Sequence, residues 1–133
     1  MKKLWAGVAA IALFSAAPVW AHHSFSAEYD ATKPITLRGT LTKMDWINPH
    51  GRLYVDVKQP DGKVVSWEIE SGSPNSLLRK GLRKSDFPIG SEVVVDGFRA
   101  RKDTSQALGT SVKFADGRNF FLGASDNPTE GAK

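Results

Sequence analysis

The sequence predicts an all-β domain, a small barrel of five or six strands with one short helix. Three observations carry that expectation. Apolar and polar residues alternate with period two in several short runs, as in "RLYVDVKQ" and "VVSWEIE". Turn residues punctuate those runs, notably "PDGK" at 60–63 and Asp116–Gly117. A single segment, "SPNSLLRKG", carries helix start and stop signals. Three strands, a helix, then two more strands is the order of an OB-fold, a Greek-key barrel that the helix plugs at one end, with a different small β-barrel or a sandwich as the alternative. The strands are expected to be antiparallel. With 133 residues the chain holds one domain at most.

Each element follows in order. From His22 to Lys33 the chain is polar with two aromatic anchors, Phe25 and Tyr29, and reads as an arm along the surface. After Pro34, "ITLRGTLTKMDW" is a long strand whose Leu37, Gly39 and Leu41 share one face. Met44 and Trp46 are out of phase with them, so a bulge near Thr42–Lys43 is needed to restore the inward register. The second strand turns Leu53, Val55 and Val57 inward. After the "PDGK" hairpin the third returns with Val65, Trp67 and Ile69 inward and Glu68 and Glu70 outward. Ser73 is the expected N-cap, Pro74 the first helical residue and Gly81 the stop. "GSEVVVDGFRA" and "GTSVKFADGRNFFL" are further strands, the second folding into its own hairpin at Asp116–Gly117. "RARKDTSQ" at 99–106 reads as a basic loop tip, and residues 123–133 as a flexible polar tail. The barrel domain is thus expected over 34–122. Its core should contain Leu41, Val55, Val57, Trp67, Ile69, Val93 and Val95.

The first 21 residues have two lysines, an apolar run and a small-residue "VWA" site, the layout of a cleaved secretory signal peptide. The apolar run is shorter than the roughly 20 residues a spanning helix needs. The expectation is export to the periplasm, with no stable membrane insertion after cleavage. Losing Lys2 and Lys3 lowers the formal charge from +4 to +2. Lysines and arginines are interleaved with Asp and Glu, not gathered into one basic face, which argues against nucleic-acid binding. Cysteine is absent, so disulfides and thiolate metal sites are excluded.

Cleavage after Ala21 makes His22 the first residue, followed by His23 in "HHSF". The free α-amine and the imidazole Nδ1 of His22 can close a chelate ring on a metal. His50, the one other histidine, follows Asn48–Pro49 at the turn between the first two strands. Its imidazole would complete a T-shaped nitrogen set, a histidine brace. Such a set suits Cu2+, the tightest binder among the first-row divalent ions. His23 offers a second geometry through amine, backbone amide nitrogen and imidazole. Against this stands the plain reading of a solvated N-terminus and a polar turn residue. Glu70, at a strand end near the same rim, could supply an oxygen or orient a ligand, and Trp46 and Asn48 flank His50.

The stretches "HHSFSAEYD", "GTLTKMDWINPHGRLYVDV", "WEIESGSPNSLLRKG" and "GSEVVVDG" resemble a family of small exported proteobacterial proteins classed as a domain of unknown function. The resemblance falls on His22, His23, Ser24, Phe25, Trp46, Asn48, Pro49, His50, Trp67 and Glu70. Leu82 departs from it, standing where the family often carries Trp. The family implies no activity, so the metal expectation rests on the donor chemistry.

Glu68 and Glu70 share a strand face, with Asp56 on the neighbouring strand. Carboxylates so placed can serve as acid and base, but a solvated face with ion pairs is the simpler reading. Phosphate-loop, Ser-His-Asp and HExxH patterns are missing. The expected function is periplasmic copper handling or sensing, with a metal ion and a periplasmic protein as the expected partners. Nothing in the chain is dedicated to a substrate surface, so binding is favoured over catalysis. The alternative is a metal-free OB-type module that binds a small ligand or partner on the face of Tyr54 and Glu68.

Overall fold

The computed structural model describes residues 25–102 and 104–123. The expected leader, His22, His23, Ser24 and the tail beyond Gly123 lie outside the described residues. A one-turn helix α1 (Phe25–Glu28) leads directly into β1 (Tyr29–Asp45), followed by β2 (Arg52–Lys58) and β3 (Val64–Glu70). Helix α2 (Pro74–Arg79) and a 3-10 turn (Lys84–Asp86) precede β4 (Glu92–Ala100), β5 (Gln106–Phe114) and β6 (Asn119–Phe121). The strand order is β3-β2-β1-β4-β5-β6, and β3 also pairs with β5. Five strands therefore close into a ring, with β6 hairpinned onto β5, and the small OB-like barrel is observed.

Closure is parallel, through Glu68↔Gln106, Ile69↔Ala107 and Glu70↔Leu108. No local signal marks that contact, because it joins strands separated by the helix and β4. The same pairing draws β5 three residues earlier than Gly109. Arg99 and Ala100 belong to β4 and Gln106 to β5, so the loop is shorter than the expected 99–106. At the other end, β1 begins at Tyr29, five residues before Pro34.

The alternation otherwise determines the interior. Leu41, Leu53, Val55, Ile69 and Val112 are fully buried, and Trp67, Val93 and Val95 nearly so. Each such aliphatic side chain contributes about 1.5–3 kcal/mol when removed from water. Val57 is the exception among the expected core residues: near the hairpin end it is half-buried and packs on the core edge. The register of β1 against β2 shifts between Leu41 and Lys43, the expected bulge, and Met44 is buried as a result. Gly39 sits where β1 passes from pairing with β4 alone to pairing with β2 as well. A Cβ there would come within 2.0 Å of the Asp56 carbonyl oxygen. Ser73 caps α2 by accepting from the Ser76 N–H at 3.1 Å, and Leu77 anchors the helix in the core. Among the described residues no helix is long and apolar enough to cross a membrane.

Candidate functional site

His50 stands in the loop between β1 and β2, and the residue after it explains its position. Gly51 donates its N–H to the Gly72 carbonyl at 3.1 Å and accepts from the Ser71 N–H at 2.9 Å. This stitches the loop to the end of β3. A Cβ on Gly51 would lie 2.7 Å from the Ser71 hydroxyl, itself fully buried, so the close approach requires glycine. The next pair in the ladder is Arg52↔Glu70. These constraints place His50 Nε2 3.4 Å from Glu70 Oε1. The imidazole is partly exposed, yet its Nδ1 is buried and has no hydrogen-bond partner among the described residues.

The arm reaches the same place. The Arg101 N–H donates to the Glu28 carbonyl at 2.8 Å, and Tyr29 pairs with Ala100, so the start of β1 is pinned beside the β4–β5 loop. From there the Tyr29 hydroxyl donates to Glu70 Oε2. Burial, followed by the Glu70 hydrogen bond, pushes the phenol above its ordinary range, so Tyr29 stays a neutral donor. Glu70 thus stands between arm and loop, with one oxygen on Tyr29 and the other facing His50.

Beside Glu70 opens a cleft of about 230 Å³, lined by Glu28, Tyr29, Arg52, Glu68 and Arg101 among others. Arg52 Nε and Glu68 Oε1 are 2.9 Å apart, an ion pair across the sheet face. Asp56 pairs with Ser66, not with either glutamate. Glu68 is thus ion-paired on this face, whereas Glu70 is held by Tyr29 and faces His50. Tyr54 lies on it with the Lys43 ammonium 4.8 Å above its ring.

Of the sequence-derived site residues, the structure brings His50 and Glu70 together. Trp46 packs against the core, its ring centroid 6.4 Å from that of Phe87, and Asn48 is exposed in the His50 loop. His22 and His23 are outside the described residues. Among the described residues no three His, Asp or Glu side chains are placed to share a metal ion. Tyr29 is the site residue that the sequence reading missed as such. It was legible as an aromatic anchor, but nothing in its spacing pointed to Glu70, 41 positions away. Leu82, the position that departs from the family pattern, is buried in the core.

Residues 10–110 match the model of a family of unknown function, DUF6152. The chain belongs to that family. Comparisons with curated proteins and with solved structures return no match. DUF6152 brings no assigned activity, and its match takes in the whole His50–Glu70–Tyr29 rim.

Proposed function

We propose that the mature protein binds one Cu2+ at its N-terminus in the periplasm, through the amine and imidazole of His22 together with His50, and serves in copper handling or sensing. The observation that carries this reading is the Tyr29–Glu70–His50 chain, which ties the start of the arm to the loop of the third histidine. His22 precedes Tyr29 by seven residues, four of them in α1, so the chain between them can span at most roughly 17 Å. Three nitrogens in such an array match the preference of Cu2+. His23 is a further donor at the same end of the chain. The described residues supply His50 with Glu70 beside it, and two more histidines precede α1 in the sequence.

A copper titration of correctly processed protein, followed by electron paramagnetic resonance, tests the proposal. The expected result is one Cu2+ per chain with nitrogen ligation, weakened by His50→Ala and weakening on acidification, because a protonated nitrogen does not coordinate. Adding a single residue before His22 removes the amine–imidazole chelate and should abolish the signature while the fold persists. Equal affinity and equal spectra for the extended and native forms would overturn the brace. The 230 Å³ cleft would then favour the second reading, a metal-free module for a small ligand or partner protein.

A further inference from the structure

We infer that Glu70, held by Tyr29, fixes the metal-free His50 imidazole in the tautomer protonated on Nε2, so that Nδ1 is the nitrogen offered to the metal. This rests on the copper reading for its purpose, though not for its test. A neutral phenol donates its one proton, and the Tyr29 proton goes to Glu70 Oε2. A carboxylate accepts and does not donate, so its remaining oxygen presents negative charge to whatever faces it. What faces it is His50 Nε2, at 3.4 Å. A lone pair there would repel the carboxylate, whereas an N–H is attracted, so the proton of the neutral ring belongs on Nε2. Arg52, the nearest cation along the ladder, does not displace this contact, because its guanidinium is engaged by Glu68.

With the proton on Nε2, Nδ1 carries a bare lone pair. That nitrogen is closed to water and has no hydrogen-bond donor among the described residues. A buried acceptor without a donor costs free energy, on the order of 1–3 kcal/mol, which a metal ion bound there would recover. The carboxylate would then select the tautomer and orient the ring from its far side, as outer carboxylates do for metal-ligating histidines. Tyr29 and Glu70 are positioning residues in this scheme. Tyr29 has a second role, since it belongs to the arm that carries His22. The group that orients His50 is thereby linked to the segment bringing the other ligands.

Nitrogen-15 NMR of the mature, metal-free protein reads the tautomer directly. The expected spectrum has His50 Nε2 in the protonated range and Nδ1 in the unprotonated range. Glu70→Gln provides a sharper test. Tyr29 still donates to the amide oxygen, which turns the amide NH2 toward Nε2 and makes that nitrogen an acceptor. The tautomer should then flip, placing the proton on Nδ1, and copper affinity should fall by about 10- to 100-fold. Tyr29→Phe frees the amide to turn over and should reduce the flip. A fold-supporting role for Glu70 would leave the tautomer unmoved. A wild-type spectrum with the proton on Nδ1 would overturn the inference, even if Glu70→Gln failed to fold. That outcome leaves copper binding through Nε2 intact. Conversely, a failed copper titration removes the metal reading without touching the tautomer result.

Discussion

Leu53 and Ile69 face the barrel interior, and their chain neighbours Arg52 and Glu70 face the rim site, so two very different environments are one residue apart. In the interior, the inward-facing residues follow a local rule: alternate residues point inward, and a bulge corrects the phase where the pattern slips. At the rim, His50, Glu70 and Tyr29 meet because three separate segments end there. The loop is stitched by Gly51, β3 runs out at Glu70, and the start of β1 is pinned against the β4–β5 loop. Interior packing tolerates exchange among apolar residues of like volume. The rim does not, since each of its contacts needs a particular donor or acceptor.

The contrast makes mutations in the two regions separable. The largest expected effect is in the interior. Trp67 is 7% exposed, with the Arg99 guanidinium 5.3 Å from its ring. Trp67→Ala should cost on the order of 3–5 kcal/mol in a denaturant melt, through lost burial and the cavity left behind. A variant melting like the parent would show that the β3 side chains carry little of the core energy.

A smaller effect should come from Gly51→Ala. The new Cβ meets the Ser71 hydroxyl at 2.7 Å, so overpacking should cost roughly 1–3 kcal/mol and displace the His50 loop. Ser71→Ala in the same chain removes the clashing oxygen and should recover part of that loss. A double-mutant cycle on melting free energy measures the coupling, and strict additivity would mean that the loop is not held by this approach.

Between the two regions, α2 offers a calibration. Ser73→Ala removes the hydroxyl that caps Ser76 N–H and should lower stability by about 1 kcal/mol, with copper binding unchanged. A change in metal affinity would mean that the helix and the rim are not independent.

The smallest effect concerns the arm and depends on pH. Asp30 accepts from the Thr32 hydroxyl at 2.6 Å and the Thr32 N–H at 3.0 Å, with Arg101 and Lys33 nearby. These groups, the Thr32 hydroxyl foremost, hold its carboxyl below the ordinary carboxylate range. A depressed folded-state value means that the unfolded chain binds the proton more readily. The contribution is therefore complete above the unfolded value, about 3.9, and is lost as pH falls through the lower folded one. Asp30→Asn should be less stable than the parent near neutrality and indistinguishable from it in strong acid. Acid-unfolding curves that run parallel throughout would refute this.

Much of the barrel was readable from the chain because strand and helix signals are local. Alternation marks which side chains face in, Pro-Asp-Gly and Asp-Gly mark the turns, and Ser73-Pro74 with Gly81 bounds the helix. The bulge near Thr42–Lys43 followed from phase alone. Burial of Val57 was overestimated because periodicity reports a side chain's direction, not its distance from the barrel end.

The candidate site was legible in its parts and not in its assembly. His50 and Glu70 stood out by residue type and position at strand ends, whereas Tyr29 carried no sign of its partner. Pairing between distant strands is a three-dimensional outcome: closure costs chain entropy, and what repays it is burial summed over the whole barrel, not a preference of the residues that meet. The parallel β3–β5 contact, the early start of β5 and the Tyr29–Glu70 hydrogen bond all have that origin. Local periodicity thus settled which residues face inward and where the chain turns. Closure of the ring settled which polar residues become neighbours, because hydrogen bonds act across space while sequence patterns extend only along the chain.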